Sequence, residues 1–455
     1  MKNFNSKYLK LIEKRGFIQD CTDFENLDKY LYENEKSGSP AIAYIGFDCT
    51  AKSLHAGSLM QIMALRFFQK CGHKPIILLG GGTTLIGDPS GKDSARQMLT
   101  QEQIEENKNG IKKVFTKYVE FEDVFNPNTN KAFLVDNAEW LNSLQFIMFL
   151  RDVGKYFSIN RMLTFDSVKT RLEREQDLSF LEFNYMIMQA YDFVELNKKY
   201  ACRVQIGGSD QWGNIVNGIE LERKIKNSQL KDSGIDLSKI AKKDKGNLFG
   251  LTTPLLTNSE GAKMGKTADG AVWLDSELLK PYDFWQYWRN ISDADLMKFA
   301  KLFLDAEENE IENDEENSIL KDFANLEGAE INKAKIRLAT EITKLCHGEN
   351  EALLAEETAH KVFAEGVLSD NLPIFEIEKE KLSEGISAFE LLKISGLCES
   401  GGEARRLIKG GGARINDEKI SDENLKIDLS FLKDEALKLS SGKKKHIIVR
   451  LTSNP

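Results

Sequence analysis

The sequence predicts an α/β protein with a doubly wound parallel sheet in its first half. Two apolar runs of strand length, Ala41 to Gly46 and Pro75 to Gly80, flank a helical pattern from about Gly57 to Lys70. A polar helix-like stretch then precedes two further apolar runs, at 132–135 and 202–206. Strands that are apolar along their whole length and alternate with helices are typical of a parallel sheet covered on both faces.

The pattern changes after this region, which indicates more than one domain. The chain has 455 residues, more than one hydrophobic core usually holds. We predict a sheet domain at 1–250, a glycine-containing loop and helical domain at 251–375, a linker at 376–385 and a small α+β domain at 386–455.

Composition is that of an ordinary globular protein, with 41% apolar and 29% charged residues. The six cysteines are scattered without a C-x-x-C pair, so we expect a reducing compartment and no structural metal. No apolar run approaches the roughly 18 residues that a membrane span needs, and we expect a cytoplasmic protein.

Charge is distributed unevenly along the chain. The net charge is −9, yet the segment from Ile386 to Pro455 carries 13 Lys and Arg against 10 Asp and Glu. The acidic surplus lies partly in Asp305 to Glu330, which we interpret as a solvated face. A basic C-terminal domain beside an acidic body is compatible with local RNA binding.

The turn after the first predicted strand has the features of a phosphate site. It places His55-Ala56-Gly57-Ser58 at the start of a helix. Small residues let a phosphate approach the backbone, and the unpaired N–H groups at a helix start bind it. By itself, such a tetrapeptide is more often an ordinary capped turn with a satisfied histidine.

A second motif, far downstream, changes that interpretation. The loop Lys263-Met264-Gly265-Lys266-Thr267 carries two lysines three residues apart. Fixed positive charge can hold a polyphosphate and stabilise the charge that develops during attack on the α-phosphate. A lone loop of this kind is usually a solvated turn, but the two motifs together predict ATP chemistry.

A third pattern lies on the predicted helix around Asn184 to Phe193. Tyr185, Gln189 and Asp192 fall at i, i+4 and i+7 and share one face. A buried carboxylate and amide are costly without partners. Either an internal hydrogen-bond network or a polar ligand supplies those partners, and for a ligand the arrangement suits a phenol.

Together with Gly80 to Lys92 and Gln205 to Asn214, these motifs resemble the bacterial-type tyrosyl-tRNA synthetases over nearly the whole chain. These are class I aminoacyl-tRNA synthetases with a Rossmann-like catalytic domain. The resemblance implies activation of tyrosine with ATP and Mg²⁺, transfer to tRNA-Tyr, a homodimer, and no permanently bound cofactor or protein-held metal.

The resemblance also implies three sets of site residues. The tyrosine pocket would contain Tyr44, Asp88, Asn137, Tyr185, Gln189, Asp192 and Gln211. ATP contacts would come from Asp48, His55, Gly57, Ser58, Gly208, Asp210, Lys263, Met264, Gly265, Lys266 and Thr267. The residues expected to act on the phosphates during catalysis are Thr50, His55, Lys92, Arg96, Lys263 and Lys266.

In this interpretation Asp192 accepts the phenolic hydrogen with help from the Tyr44 hydroxyl. The tyrosine carboxylate is already an anion, so positioning and electrostatics supply the catalysis without a general base. Three positions depart from the commoner pattern of the family: Ser58 replaces a histidine, Ile45 replaces a cysteine, and Gly265 replaces a serine. The first two lie where ribose contacts are expected, and Ile45 cannot donate a hydrogen bond there.

The last unit resembles an S4-type RNA-binding domain, on the ordered pattern Glu403-Ala-Arg-Arg-Leu-Ile and the glycine-rich turn after it. Basic side chains on a short helix beside such a turn suit a phosphate backbone. The implied RNA contacts are Arg405, Arg406, Lys409, Arg414, Lys443, Lys444 and Lys445.

Two alternatives stay open on the sequence. A tryptophanyl-tRNA synthetase would share the fold and both nucleotide motifs. A noncatalytic RNA-binding protein could keep the scaffold without the reaction, although the presence of both Lys263 and Lys266 argues against it.

Overall fold

The computed structural model describes residues 3–87, 99–175, 178–233, 248–267, 270–313, 318–324, 326–361, 373–416, 418–432, 436–442 and 445–452. The chain divides into two compact units. The first comprises Met1–Leu279 and Ile291–Ala334, and the second comprises Lys280–Asn290 and Lys335–Pro455.

A mixed six-stranded sheet forms the centre of the first unit. Its strands are β1 (Asp20–Cys21), β2 (Ile42–Phe47), β3 (Lys74–Leu79), β4 (Phe133–Asp136), β5 (Val204–Gly208) and β6 (Phe249–Thr253). They lie in the order β1-β6-β5-β2-β3-β4, parallel except that β1 pairs antiparallel with β6. The predicted α/β fold with a parallel sheet is confirmed. A separate two-stranded antiparallel sheet is formed by β7 (Lys266–Thr267) and β8 (Gly270–Ala271).

The chain changes its direction across the sheet at β2. It continues from β2 to β3 and β4 on one side, and β5 then returns to the other side of β2. The register between β2 and β5 pairs only Ala43 with Val204 and Tyr44 with Gln205, although both strands continue beyond these residues. Ligands of open α/β sheets bind in the crevice that forms at such a switch point.

Helices cover the sheet and form most of the remaining structure. They are α1 (Lys7–Arg15), α2 (Phe24–Ser37), α3 (Leu59–Lys70), α4 (Gly81–Thr84), α5 (Gln101–Phe115), α6 (Ala138–Leu141), α7 (Phe146–Asp152), α8 (Ile159–Met162), α9 (Asp166–Glu173), α10 (Phe180–Tyr200), α11 (Trp212–Asp232), α12 (Pro281–Arg289), α13 (Leu296–Phe303), α14 (Glu308–Asn313), α15 (Ser318–Lys321), α16 (Ala329–His347), α17 (Glu349–His360), α18 (Lys379–Ser383), α19 (Ala388–Ile394) and α20 (Gly401–Lys409). None of the described helices is both long and apolar enough to cross a bilayer.

A capping motif and apolar packing against the sheet fix the position of α10. Ser179 and Glu182 form a capping box at its start, with Glu182 N donating to Ser179 Oγ at 3.1 Å. Further along, Phe193 and Leu196 pack into the apolar core that includes Tyr44 on β2. The face of α10 that carries the three predicted polar residues therefore lies near the end of β2.

The second unit contains α12, α17 and a C-terminal α+β region. In its helical part, Trp285 Nε1 donates to Thr340 Oγ1 at 2.9 Å. The larger C-terminal sheet has the order β12-β11-β14-β15-β9. The strands of this region are β9 (Ile374–Ile377), β10 (Ile386–Ser387), β11 (Ala413–Ile415), β12 (Glu418–Lys419), β13 (Lys426–Ile427), β14 (Ala436–Ser441) and β15 (Lys445–Leu451).

The segment predicted as a linker, 376–385, contains the end of β9 and all of α18. Strand β9 pairs parallel with β15, and Ile377 and Leu382 contribute to the core of the C-terminal region. Residues upstream of 386 are therefore part of this sheet and its core.

Candidate active site

A cavity of about 410 Å³ lies at the carboxyl ends of β2 and β5. Side chains and backbone from both predicted nucleotide motifs and from α10 line it. Among the residues expected in the site, the lining includes Tyr44, Asp48, His55, Gly57, Ser58, Asn137, Tyr185, Gln189, Asp192, Gly208, Asp210, Gln211, Lys263 and Met264.

Asp192 is a buried carboxylate held by two donors at the end of the cavity. Trp140 Nε1 donates to Asp192 Oδ1 at 2.8 Å, and Asn137 Nδ2 donates to Oδ2 at 3.0 Å. Burial raises the pKa of Asp192 to about 7, while these two donors oppose the rise and the charge of Asp48 adds to it. Asp192 is therefore an oriented acceptor that ionises close to neutral pH.

Two buried polar atoms in the cavity lining have no hydrogen-bond partner within the described residues: the Tyr44 hydroxyl and Gln205 Oε1. Burial, followed by the nearby charge of Asp192, raises the pKa of Tyr44 well above its usual value. The hydroxyl therefore stays protonated and can both donate and accept. An unsatisfied buried polar group costs roughly 1–3 kcal/mol, so a ligand that bonds these atoms gains from them.

A second carboxylate, Asp48, lies at the mouth of the crevice directly after β2. Its Oδ1 accepts from Tyr185 OH and from Thr83 Oγ1, each at 3.2 Å. On α11, Asn214 Nδ2 donates to Gln189 Oε1 at 2.8 Å and to Gln211 Oε1 at 3.2 Å. The carbonyl oxygens of Gln189 and Gln211 are thus held by the same amide group.

Comparison with known proteins identifies the family. The family model described as tRNA synthetases class I (W and Y) matches residues 36–364. The chain belongs to this family.

Relatives of this class I synthetase cover almost its full length. A tyrosine--tRNA ligase from Rickettsia bellii (strain RML369-C) is 53% identical over 438 residues, which are 96% of this chain and 98% of that protein. A tyrosine--tRNA ligase from Wolbachia sp. subsp. Brugia malayi (strain TRS) is 52% identical over 448 residues, 98% and 99% of the two chains. The resemblance seen in the motifs is confirmed.

A solved structure shares the fold of the synthetase. The C-terminally truncated mitochondrial tyrosyl-tRNA synthetase from Aspergillus nidulans is 28% identical and has a TM-score of 0.64. The match covers 78% of this chain and 94% of that chain.

The synthetase brings its two nucleotide motifs into direct contact. Ala56 N donates to Val272 O at 2.7 Å, and Val272 N donates to Gly265 O at 3.0 Å, so the lysine loop packs along the His55 turn. The contact leaves no space at Gly57, where a Cβ would lie 2.8 Å from Met264 O.

His55 is oriented within this contact. Its Nδ1 accepts from Gly57 N at 3.0 Å. A neutral His55 therefore carries its proton on Nε2, which leaves that nitrogen as a donor.

Of the other predicted site residues, one lies outside the cavity and several are not described by the structure. Thr50 is exposed in the turn after Asp48 and does not line the cavity. Asp88, Lys92, Arg96, Lys443 and Lys444 lie outside the described residues. Lys266 and Thr267 form β7, but their side chains are also outside the description.

In the C-terminal region the basic side chains take different roles. Arg405 stacks on the Phe389 ring at 3.9 Å and lies 3.7 Å from Glu423, which is also 3.4 Å from Lys409. Arg406 is exposed on the same helix. Exposed side chains at Arg414 on β11 and Lys445 on β15 complete the described part of the predicted set.

Among the residues that the fold adds to the site, sequence reasoning missed Gln61, Thr83, Gln205 and Trp140. Gln61 and Gln205 line the cavity, and Trp140 holds Asp192. Gln205 offered one signal, since a polar side chain inside an otherwise apolar strand needs a partner. The sequence contains no signal for Trp140, because this residue is far from Asp192 along the chain and no local pattern links the two.

Proposed function

We propose that this chain is a tyrosine--tRNA ligase, which joins tyrosine to AMP and then transfers it to the 3′ end of tRNA-Tyr. One observation carries the choice of amino acid: the oriented carboxylate of Asp192 and the unpartnered hydroxyl of Tyr44 at the same end of the cavity. The tyrosine--tRNA ligases that resemble the chain over nearly its full length support the same assignment.

The hydrogen-bonding capacity of a phenol fits this end of the cavity better than that of an indole. A phenolic O–H donates to ionised Asp192 and accepts from the Tyr44 hydroxyl, whereas an indole N–H only donates. With tryptophan bound, the Tyr44 hydroxyl would gain no hydrogen-bond partner from the ligand. Phenylalanine would form a hydrogen bond with neither group, and tyrosyl-tRNA synthetases are themselves the known example of that cost, with a preference of about 10⁵ for tyrosine.

The reaction needs positioning more than proton transfer. A carboxylate oxygen of tyrosine forms a bond to the α-phosphorus of ATP, and the bond to the bridging oxygen breaks as pyrophosphate leaves. We infer that the helix start at His55 to Ser58 and the side chain of Lys263 hold the phosphates, because both line the cavity. Mg²⁺ would enter with ATP as part of the substrate.

Pyrophosphate exchange tests this assignment directly. Purified protein is incubated with ATP, labelled pyrophosphate and tyrosine, tryptophan or phenylalanine. We expect strong labelling of ATP with tyrosine, none with tryptophan and only a weak reaction with phenylalanine. Exchange with tryptophan alone would assign the chain to the other half of the family, and no exchange with any of them would favour the noncatalytic alternative.

For the C-terminal region we propose tRNA binding through α20 and the strands beside it. Arg405 and Lys409 are kept close together by Glu423, and Arg406 points outward from the same helix. A tRNA partner also implies that the protein acts in the cytoplasm. The six free cysteines agree with this, because the cytoplasm is a reducing compartment.

Replacing Arg406 and Lys409 by Ala is expected to raise KM for tRNA-Tyr about tenfold at moderate salt, because phosphate contacts are lost. The slope of log affinity against log salt should fall by about one to two. Lys393→Ala, an exposed lysine on α19, is the matched control. Equal tRNA affinity of the wild type, the double variant and Lys393→Ala would mean that tRNA binds to a different surface.

We further propose that the chain forms a homodimer through the helices after β4. These helices bury one face around Val153, Met162 and Met186 and expose large apolar side chains on the other. The exposed set is Phe146, Ile147, Met148, Leu150, Ile159, Leu163, Leu172, Phe180 and Leu181. A second copy is the partner because large apolar side chains exposed within one segment, 146–181, are typical of association surfaces and the family resemblance implies two subunits.

The double substitution Ile147→Glu and Phe180→Glu is expected to convert the dimer into single chains, since it puts two charges into the apolar contact. Sedimentation velocity measures the change. Leu278→Glu, at an apolar residue that is also exposed but lies outside this set, should leave the mass unchanged. A wild-type protein that sediments as one chain at micromolar concentration would contradict the proposal.

A further inference from the structure

Lys108, a cation outside the substrate cavity, is linked to Asp192 by hydrogen bonds through two consecutive residues, Asp136 and Asn137. Lys108 lies on α5 and its Nζ is 2.6 Å from Oδ2 of Asp136, the last residue of β4. The other oxygen of Asp136 accepts from Gly81 N at 3.1 Å and from Ala138 N at 2.9 Å. Asp136 therefore joins α5 to the end of β4 and to the starts of α4 and α6.

The residue after Asp136 completes the link. Asn137 Oδ1 accepts from Gly82 N at 2.8 Å, and Nδ2 of the same amide donates to Asp192 at 3.0 Å. Asp136 and Asn137 thus hold consecutive N–H groups at the start of α4, and this contact fixes the amide that orients Asp192. A Cβ at Gly81 would lie 2.3 Å from Asp136 Oδ1, which shows how closely the two backbones approach.

Among the described residues, the charges that shift the pKa of Asp192 are negative. Asp48, after β2, and Asp136, at the end of β4, both act to raise its pKa. On the same helix as Asp192, the cation Lys199 lies over the Trp140 indole, 5.0 Å from the ring centre. The other titratable groups that the described residues place in this region are Tyr44 and Cys202 near β2 and β5, and Tyr185, Tyr191 and Glu195 on α10.

Lys108 offsets one of these two negative charges. Burial lowers the pKa of Lys108, but its bonds to Asp136 and Glu105 outweigh this and raise the pKa overall. Lys108 is therefore a stable cation throughout the range in which Asp192 titrates.

We propose that Lys108 is a positioning residue for tyrosine activation, which neutralises Asp136 and thereby keeps Asp192 ionised and aligned for the substrate phenol. The link to tyrosine rests on the proposed function. The electrostatic link between Lys108 and Asp192 does not, and it can be measured without substrate.

Trp140 provides that measurement because its indole donates to the Asp192 carboxylate. The pH dependence of fluorescence, taken as the difference between each protein and its Trp140→Phe counterpart, reports the titration of Asp192. In Lys108→Met the midpoint should rise by about one pH unit, because the charge of Asp136 is no longer offset. At pH 7, KM for tyrosine in pyrophosphate exchange should rise about fivefold and recover at higher pH, with kcat little changed, because the ionised fraction of Asp192 falls from about one half to about one tenth.

Three further variants separate charge from structure. Lys108→Arg should keep the wild-type midpoint. The double variant Lys108→Met with Asp136→Asn should return close to it, because the amide still accepts from Gly81 N and the uncompensated charge is gone. Lys113 lies on the same helix as Lys108 and forms an exposed ion pair with Glu277. Lys113→Met removes this pair and should leave the fluorescence midpoint unchanged.

An unchanged midpoint in Lys108→Met would overturn the inference, as would a double variant that shifts as far as the single one. If wild-type protein exchanges no pyrophosphate with tyrosine, the proposed function fails. The fluorescence midpoints would still support or contradict the link between Lys108 and Asp192.

Discussion

Asp192→Asn is expected to lower kcat/KM for tyrosine in pyrophosphate exchange by about 10³-fold, the size of a broken buried charge interaction of roughly 3–5 kcal/mol. Both oxygens of Asp192 accept from donors, Trp140 and Asn137. An amide must turn its NH₂ group toward one of these donors, and it cannot accept the phenolic hydrogen with a full charge. The loss should fall on tyrosine and leave the weak reaction with phenylalanine nearly unchanged.

The ratio of the two substrates is the informative quantity in this experiment. Glu195→Gln is the matched control, because Glu195 is also buried on α10 and accepts from Tyr191 OH at 2.8 Å, but it does not line the cavity. Equal losses for tyrosine and phenylalanine in Asp192→Asn would mean that the carboxylate supports the fold rather than recognising a phenol.

Gly265→Ala is expected to slow adenylate formation about 10²-fold while tyrosine affinity stays the same. The residue has φ of +102°, and a Cβ there would lie 2.5 Å from Gly57 N and 2.6 Å from His55 Nδ1. A left-handed conformation alone costs a residue with a side chain about 1–2 kcal/mol. The backbone of the His55 turn cannot move aside, so the lysine loop must leave its position.

Single-turnover formation of the adenylate, with tyrosine binding measured separately, checks this prediction. Gly261→Ala provides the control, since Gly261 also has a positive φ, +82°, in the same loop, but a Cβ there would have no neighbouring atom within 4 Å. It should show only the backbone cost. Similar rates in the two variants would contradict a tight contact between the motifs during catalysis.

The departure at Gly265 also has a structural explanation. A serine at this position would meet the same atoms of Gly57 and His55, so the observed packing requires glycine. No comparable explanation is present for Ile45, which lines the cavity with an aliphatic side chain.

Much of the site could be predicted because its residues lie in continuous motifs. The His55 turn, the lysine loop and the i, i+4, i+7 face of α10 are each local patterns, and the described parts of all three line one cavity. Strand and helix positions in the first unit were also predictable, because apolar runs and capping residues act over a few neighbours.

The sequence by itself determined the α/β elements, the two nucleotide motifs and the polar face of α10, since backbone preference and side-chain periodicity are local properties. Only the tertiary structure decided that β9 joins the C-terminal sheet, that Gln205 lies beside Tyr44, and that Trp140 holds Asp192. These contacts join segments far apart in the chain, and they depend on which strands pair and in what register. No local pattern encodes that choice, and the link from Lys108 through Asp136 to Asp192 follows from it.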